Sequence, residues 1–123
     1  MRGGGATELR LLNSTRDVVL ADRVQRAVAM RDRLRGLLGR STFPEGEALV
    51  IAPCNAIHTF FMKFPIDAVF LDGGGRVVRT VRELRPWRAT RVHPAAAQVV
   101  ELPAGTVARS GTETTTRTAR SRR

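Results

Sequence analysis

The chain has 123 residues, a length that supports one domain rather than two. Hydrophobic residues make up 42% of it, which excludes wholesale disorder, and the longest apolar runs are too short to cross a bilayer. A single cysteine, Cys54, excludes an internal disulfide framework and a zinc site built from several cysteines.

The charge balance strongly favours cations. The chain carries 21 Lys and Arg residues against 11 Asp and Glu, a net charge of +10, and Lys63 is the only lysine. Two explanations stay open. Arginines bind phosphates, which favours a nucleic acid partner, but a genome-wide composition bias would also replace Lys by Arg. Residues 109–123 hold five arginines against Glu113, a net charge of +4.

The N-terminal residues carry no secretion pattern. Met1-Arg2-Gly3-Gly4-Gly5 is followed by mixed polar and apolar residues, without an apolar stretch or a cleavage site. Together with the single cysteine, this predicts a cytoplasmic protein with no membrane association.

The first predicted elements are a flexible arm and a hairpin. Residues 1–7 are glycine-rich and are expected to form the arm. The segments 8–12 and 17–21 are β-prone, and Asn13-Ser14-Thr15-Arg16 between them has the chemistry of a turn. This pattern predicts a β-hairpin.

The spacing of apolar residues changes after the hairpin. Arg23 to Ala27 fits another strand, after which apolar residues fall at helical spacing. We expect a helix from about Ala29 to just before Gly39, a residue suited to the position after a helix end. Capping by Asp22 would instead allow a longer helix.

The rest of the chain predicts short strands separated by Pro and Gly. Gly73-Gly74-Gly75 predicts a tight turn, and residues 85–94 are expected to be irregular. The predicted strands cover residues 48–52, 57–64, 66–71, 76–81 and 97–102.

The predicted fold class is mainly β (α+β). We expect a compact antiparallel β-barrel or sandwich of about seven short strands with one helix, formed by residues 8–108. Residues 109–123 contain only Ser, Thr, Gly, Ala, Arg and one Glu. Such a segment buries too little apolar surface to offset its ordering entropy, which predicts a disordered basic tail.

The densest chemistry lies in residues 53–67, which hold the only Cys, the only Lys and three Phe. On strands, side chains alternate between faces, which would place His58 beside Phe60 and Met62, and Asp67 in line with Val69. His58 and Asp67 would then each lie on a largely apolar face. An ionisable group there must be paired, neutral or hydrogen-bonded.

Several roles stay open for these residues. His58 and Asp67 either bond to the backbone as structural groups, or form a His–Asp or Asp–Lys pair that lines a pocket. No spacing matches a metal motif, and Cys54 fits a small, partly buried residue better than a nucleophile. Trp87 either anchors its loop or stacks on a base or sugar.

Three blocks of the chain resemble a known family. They are Arg35-Gly36-Leu37-Leu38-Gly39-Arg40, the stretch from Ile57 to Asp72, and Val100-Glu101-Leu102-Pro103-Ala104-Gly105. In order and spacing they resemble the bacterial and archaeal "domain of unknown function 192" family, over residues 8–110. That family's signature would fall on Phe61, Met62, Lys63 and Asp67, and the His-Thr variant resembles a cytoplasmic branch.

The resemblance implies a compact, mainly β domain with one helix that ends in the Gly-Leu-Leu-Gly-Arg block. It implies no activity, because the family has none that can be carried over. One departure concerns the end of the domain. Related chains usually continue with a Gly-Asp pair and a final short strand, whereas this chain has Ser110-Gly111-Thr112-Glu113. The last strand is therefore expected to be altered or missing.

Three functional hypotheses follow. The leading one is a non-catalytic β domain that binds a small ligand or a protein through His58, Lys63, Asp67 and Trp87. The second is nucleic-acid binding through Arg side chains and the basic tail. The third is a hydrolase or transferase that uses Asp67 with His58 or Lys63. No cofactor, metal or catalytic residue is assigned.

Overall fold

The structure is a computed structural model that describes residues 9–27 and 40–122. In these two ranges the chain forms eight strands and one short helix. They are β1 Leu9–Asn13, β2 Val18–Ala21, β3 Arg23–Ala27, β4 Glu47–Ile51, β5 Ile66–Leu71, β6 Val77–Leu84, β7 Gln98–Pro103, α1 Thr106–Ser110 and β8 Thr118–Arg122. The predicted arm at 1–7 and the helix from about Ala29 lie outside the described residues.

The strands form two sheets that pack as a sandwich. One sheet has the order β2-β1-β8, and the other has the order β3-β4-β7-β5-β6. The pairs are antiparallel except β3 with β4, which are parallel. The mainly β class is confirmed, and of the two predicted architectures the sandwich fits, because neither sheet closes into a barrel.

The predicted hairpins are confirmed. Asn13 Oδ1 accepts the N–H of Arg16 at 3.0 Å, which closes the turn between β1 and β2. At the second hairpin, Asp72 Oδ1 accepts the N–H groups of Gly74 and Arg76, each at 2.9 Å. Gly75 there has a φ of 89°, a conformation that glycine adopts without strain.

The central strands of the larger sheet are buried on both faces. One face packs against the smaller sheet through Val50, Val69 and Val100, which contact Leu11 and Leu20. The opposite face, with Leu49, Phe70 and Val99 among its residues, is covered by loop residues that include Ile57 and Met62. Burial on both faces explains the near-continuous apolar runs of β4, β5 and β7.

Residues 57–64 do not form the predicted strand. They form an irregular loop with one isolated β-bridge, between His58 and Ala89, and a turn at Phe60–Phe61. The Met62 N–H donates to the Thr59 carbonyl at 3.2 Å, and Phe61 has a φ of 68°, which no extended strand contains. The predicted alternation of side chains therefore fails here.

Residues 109–122 are ordered rather than a disordered tail. They form the end of α1, a turn and strand β8, and β8 pairs with the whole of β1. The strand that the resemblance put in doubt is thus present. No helix within the described ranges has the length and apolar character needed to cross a membrane.

A buried polar network explains how so polar a segment becomes ordered. Asn13 Nδ2 lies 3.2 Å from Thr112 Oγ1, and the Ser110 and Thr112 hydroxyls lie 2.7 Å apart. The Ser110 hydroxyl also donates to the Thr106 carbonyl at 2.7 Å. All four side chains are buried. Because these polar groups satisfy one another, burial costs them little, and the segment needs few apolar residues.

Candidate functional site

Two loops lie side by side over the face of the larger sheet that is turned away from the smaller sheet. They are residues 55–61, which lead towards β5, and residues 85–93, which follow β6. Backbone N–H groups of Trp87, Thr90 and His93 donate to carbonyls of Thr59, Ile57 and Asn55 at 3.0, 2.9 and 2.9 Å. The two segments therefore hold each other in a fixed register.

Thr59 is the centre of this junction. Its side chain is completely buried, and its hydroxyl lies 2.6 Å from the Arg85 carbonyl, to which it donates. The same oxygen accepts the N–H of Arg88 at 2.9 Å. One hydroxyl thereby satisfies two backbone groups that flank Trp87, and the loop around Trp87 is fixed to the loop around Phe60.

The junction carries four rings that we call the aromatic cluster: His58, Phe60, Phe61 and Trp87. Ring centroids are 4.8 Å apart for His58–Phe60, 6.1 Å for Phe60–Trp87 and 4.7 Å for Phe61–Trp87. Phe60 is 39% exposed, Phe61 65% and Trp87 56%. Large apolar side chains gathered on a surface are the usual mark of an interaction site.

The backbone of the aromatic cluster is strained at its two most exposed rings. Phe61 has a φ of 68° and Trp87 has a φ of 65°. Bulky residues rarely adopt this left-handed region, which costs on the order of 1–3 kcal/mol each. The strain aims both rings outward instead of into the core.

The surroundings of the aromatic cluster are strongly basic. Arg85 and Arg88 bracket Trp87, and Lys63 is exposed two residues after Phe61. From β6 to the second loop an exposed arginine recurs at every third position. We call these six residues the arginine series: Arg76, Arg79, Arg82, Arg85, Arg88 and Arg91.

Asp67 belongs to a different, buried network. Its side chain is completely buried on β5. Oδ1 accepts the N–H of Glu83 at 2.9 Å, and Oδ2 accepts the N–H groups of Gly105 and Val107 at 3.1 and 2.8 Å. Glu83 lies in a β-bulge with a φ of 53°, so its N–H points away from the ladder and needs this acceptor. Asp67 thus joins β5, the bulge of β6 and the start of α1.

The structure therefore separates the four predicted site residues. It brings His58 and Trp87 together in the aromatic cluster, leaves Lys63 exposed, and buries Asp67 among backbone N–H groups. His58 Nδ1 accepts the N–H of Phe60 at 3.2 Å. Backbone bonding was one of the roles left open for Asp67, and its donors come from two distant segments, the bulge of β6 and the start of α1.

Sequence reasoning missed three members of this region and one buried carboxylate. It did not single out Phe60 and Phe61 as exposed, or Thr59 as the anchor, because the strand prediction gave them the wrong environment. Glu101 is completely buried on β7 between Val100 and Leu102. The sequence signal for Glu101 was its position as a charged residue inside an otherwise apolar strand.

A cavity lies at the opposite region of the sandwich, where the two sheets open beside Gly73–Gly75. Its volume is about 360 Å³, and Leu11, Leu71, Gln98 and Arg120 contribute to its lining. Arg120 Nη2 donates to Gln98 Oε1 at 2.7 Å. Desolvation, and secondarily the charge of Arg26, lower the pKa of Arg120. The two ranges that the structure describes contain no cluster of three His, Cys, Asp or Glu able to hold a metal ion.

Fold and site together define a two-sheet β domain with an exposed aromatic surface in basic surroundings. Over residues 12–119 the chain matches the DUF192 family, described as "Uncharacterized ACR", and it belongs to this family. The predicted resemblance is thereby confirmed.

Relatives and structural neighbours agree with this assignment. A UPF0127 protein from Thermococcus sibiricus is 36% identical over 103 residues, 79% of this chain and 65% of that protein. Another, from Pyrococcus abyssi, is 36% identical over 101 residues, 77% of this chain and 83% of its own length. The chain thus spans slightly less than two thirds of the first of these relatives. A crystal structure of a protein of unknown function from Novosphingobium aromaticivorans has a TM-score of 0.75 at 17% identity, covering 90% of this chain and 82% of that one, which shows the shared fold.

Proposed function

We propose that this protein is a non-catalytic binding domain and that the aromatic cluster is its binding surface. The observation that carries the proposal is the exposure of Phe60, Phe61 and Trp87 in mutual ring contact. Rings held this way offer an apolar surface at low entropic cost, because the buried Thr59 already fixes both loops. Such a surface suits a partner that presents planar or apolar groups.

Backbone strain supports the same conclusion. Phe61 and Trp87 combine a left-handed conformation with a side chain that is more than half exposed, so burial in the core does not hold either ring in place. Strained residues accumulate at functional positions, where the surrounding structure holds them. The cost at Phe61 and Trp87 is consistent with retention for binding.

The hypothesis of a hydrolase or transferase that uses Asp67 gains less support. Asp67 has its carboxylate oxygens bonded to three N–H groups and has no exposed surface, so a hydrolase or transferase could not use it without breaking the fold. We infer a cytoplasmic location because the chain has a single cysteine and therefore no internal disulfide.

The test compares Trp87→Asn and Phe61→Asn with Val92→Asn. Asn tolerates the left-handed conformation, so the first two variants should unfold at the wild-type temperature or above it. Val92 is 62% exposed and lies outside the aromatic cluster, which makes its variant the matched control. The probe is anilinonaphthalene sulfonate, an aromatic anion that fluoresces on apolar surfaces.

We expect the wild type and Val92→Asn to bind this dye equally, and the two cluster variants to lose most of the signal. A cluster that only completes the fold would behave in the opposite way. Its variants would unfold at lower temperature, and dye binding would be the same in all four proteins. That pair of results would overturn the proposal.

A further inference from the structure

We infer that the partner is a single-stranded nucleic acid, with bases stacked on the aromatic cluster and phosphates along the arginine series. This inference rests on the binding role proposed above. It adds the chemical class of the partner, which the aromatic cluster alone does not define.

Positive charge lies next to the exposed rings. The arginine series spans residues 76–91, in which Glu83 is the single acidic residue. That stretch carries a net charge of +5, half of the +10 of the whole chain. All six arginines are exposed. A genome-wide preference for arginine would explain their number, and residues 109–123 are almost as rich in arginine. The observation that favours a nucleic acid is therefore the position of Arg85 and Arg88 beside the exposed rings.

The arginine series runs along one border of the larger sheet. On extended backbone a spacing of three residues separates the Cα atoms by roughly 10 Å and turns successive side chains to opposite faces, so these arginines share an edge rather than a face. β6 forms an edge of the larger sheet, and the second loop continues from it, so the series follows one exposed border. Charges on an edge strand also prevent unwanted strand pairing, but Arg88 and Arg91 lie beyond the strand, where that explanation does not apply.

Rings and cations lie side by side around Trp87. Arg85 and Arg88 flank Trp87 and are fixed through their backbone groups by Thr59. A basic path interrupted by aromatic rings is the arrangement that binds single strands without sequence preference. In a duplex the base faces are covered by stacking, so exposed rings would have nothing to stack upon. The rings thus favour a single strand over a duplex.

The experiment measures fluorescence anisotropy of a labelled single-stranded oligothymidylate of roughly 15 nucleotides, which covers one binding site of this kind. Trp87→Asn should weaken binding roughly 5- to 150-fold, the loss expected for one stacked base. Val92→Asn should leave the affinity unchanged. A duplex of the same length should bind more weakly than the single strand.

Charge is tested through the dependence of affinity on salt. Arg88→Gln should reduce the slope of log affinity against log salt by about 0.7, the value for one phosphate contact on a single strand. Arg26→Gln, an exposed arginine on β3 at the opposite edge of the larger sheet, is the matched control and should keep the wild-type slope. An equal loss in both variants would indicate diffuse attraction by a basic protein and would overturn the inference.

Two further outcomes separate this inference from the proposed function. If the dye signal depends on Trp87 but the oligonucleotide does not bind, the binding surface stands and the nucleic acid is wrong. A polyglutamate peptide that competes as well as the oligonucleotide would also overturn the inference, because it would show recognition of charge without bases. If neither ligand depends on Trp87, both proposals fail.

Discussion

The hydroxyl of Thr59 donates a 2.6 Å hydrogen bond to the carbonyl of Arg85 and thereby joins two loops that lie 26 residues apart in the chain. Neither loop has a regular strand or helix to hold it. The aromatic cluster is built across this junction, so its geometry depends on a residue that lies beneath the surface and does not reach a partner.

Thr59→Val should therefore change both stability and binding. The substitution keeps the side-chain shape but leaves the Arg85 carbonyl and the Arg88 N–H without their bonds in a buried place. We expect a loss of about 1–3 kcal/mol in the free energy of unfolding, measured by urea denaturation. Dye binding at the aromatic cluster should fall as well.

Thr59→Ser is the control for this change, since it retains the hydroxyl. It should bind the dye as the wild type does and lose less stability than Thr59→Val. Equal stability of the Val variant and the wild type would show that the junction does not depend on this hydroxyl.

Asp67→Asn should destabilise the fold, because Asp67 has a structural role and not a role in binding. The amide replaces one acceptor oxygen by a donor, which would face an N–H group of Glu83, Gly105 or Val107. We expect a loss of about 1–3 kcal/mol from the unsatisfied buried group. Asp17→Asn, on the exposed first hairpin, should stay within about 0.5 kcal/mol of the wild type. Wild-type stability of the Asp67 variant would instead point to a reactive carboxylate.

The glycine turn offers a pair of substitutions with opposite expectations. A Cβ on Gly75 would lie 2.9 Å from the Thr118 backbone oxygen, and the residue has a φ of 89°. Gly75→Ala should cost about 1–3 kcal/mol through backbone strain alone. At Gly73 a Cβ meets nothing within 4 Å, so Gly73→Ala should be close to neutral. Similar thermal unfolding of both variants would contradict the tight junction between this turn and β8.

Asp72 should make the stability of the protein depend on pH in the acid range. The N–H of Arg76, followed by that of Gly74, holds the pKa of Asp72 below its ordinary value of 3.8, although desolvation opposes the shift. A carboxyl with a lowered folded-state pKa stabilises the protein fully above 3.8 and loses that contribution as the pH falls below it.

The measurement compares urea midpoints of the wild type and Asp72→Asn from neutral pH into the acid range. The wild type should exceed the variant above pH 3.8, and the difference should shrink at lower pH. A difference that stays constant with pH would mean that the charge of Asp72 does not contribute to the hairpin.

The aromatic cluster itself could be predicted only in part. The sequence singled out His58 and Trp87, and the structure brings them together. It could not reveal that Phe60 and Phe61 join them, because a run of Phe and Met between prolines is as typical of a strand as of a turn. The turn forms because Thr59 bonds to the backbone of a loop almost thirty residues away. No local pattern in the sequence indicates those bonds.

Local sequence determined the strands and hairpins of this protein, because alternation, apolar runs and turn residues act over a few neighbouring positions. The tertiary structure decided the rest. β8 contains few apolar residues, yet it forms because β1 offers an unpaired edge and because Asn13, Ser110 and Thr112 satisfy one another's polar groups. Hydrogen bonds between residues about a hundred positions apart, such as Asn13 and Thr112, have no signature in composition, and for that reason the ordered end of the domain resembled a disordered tail.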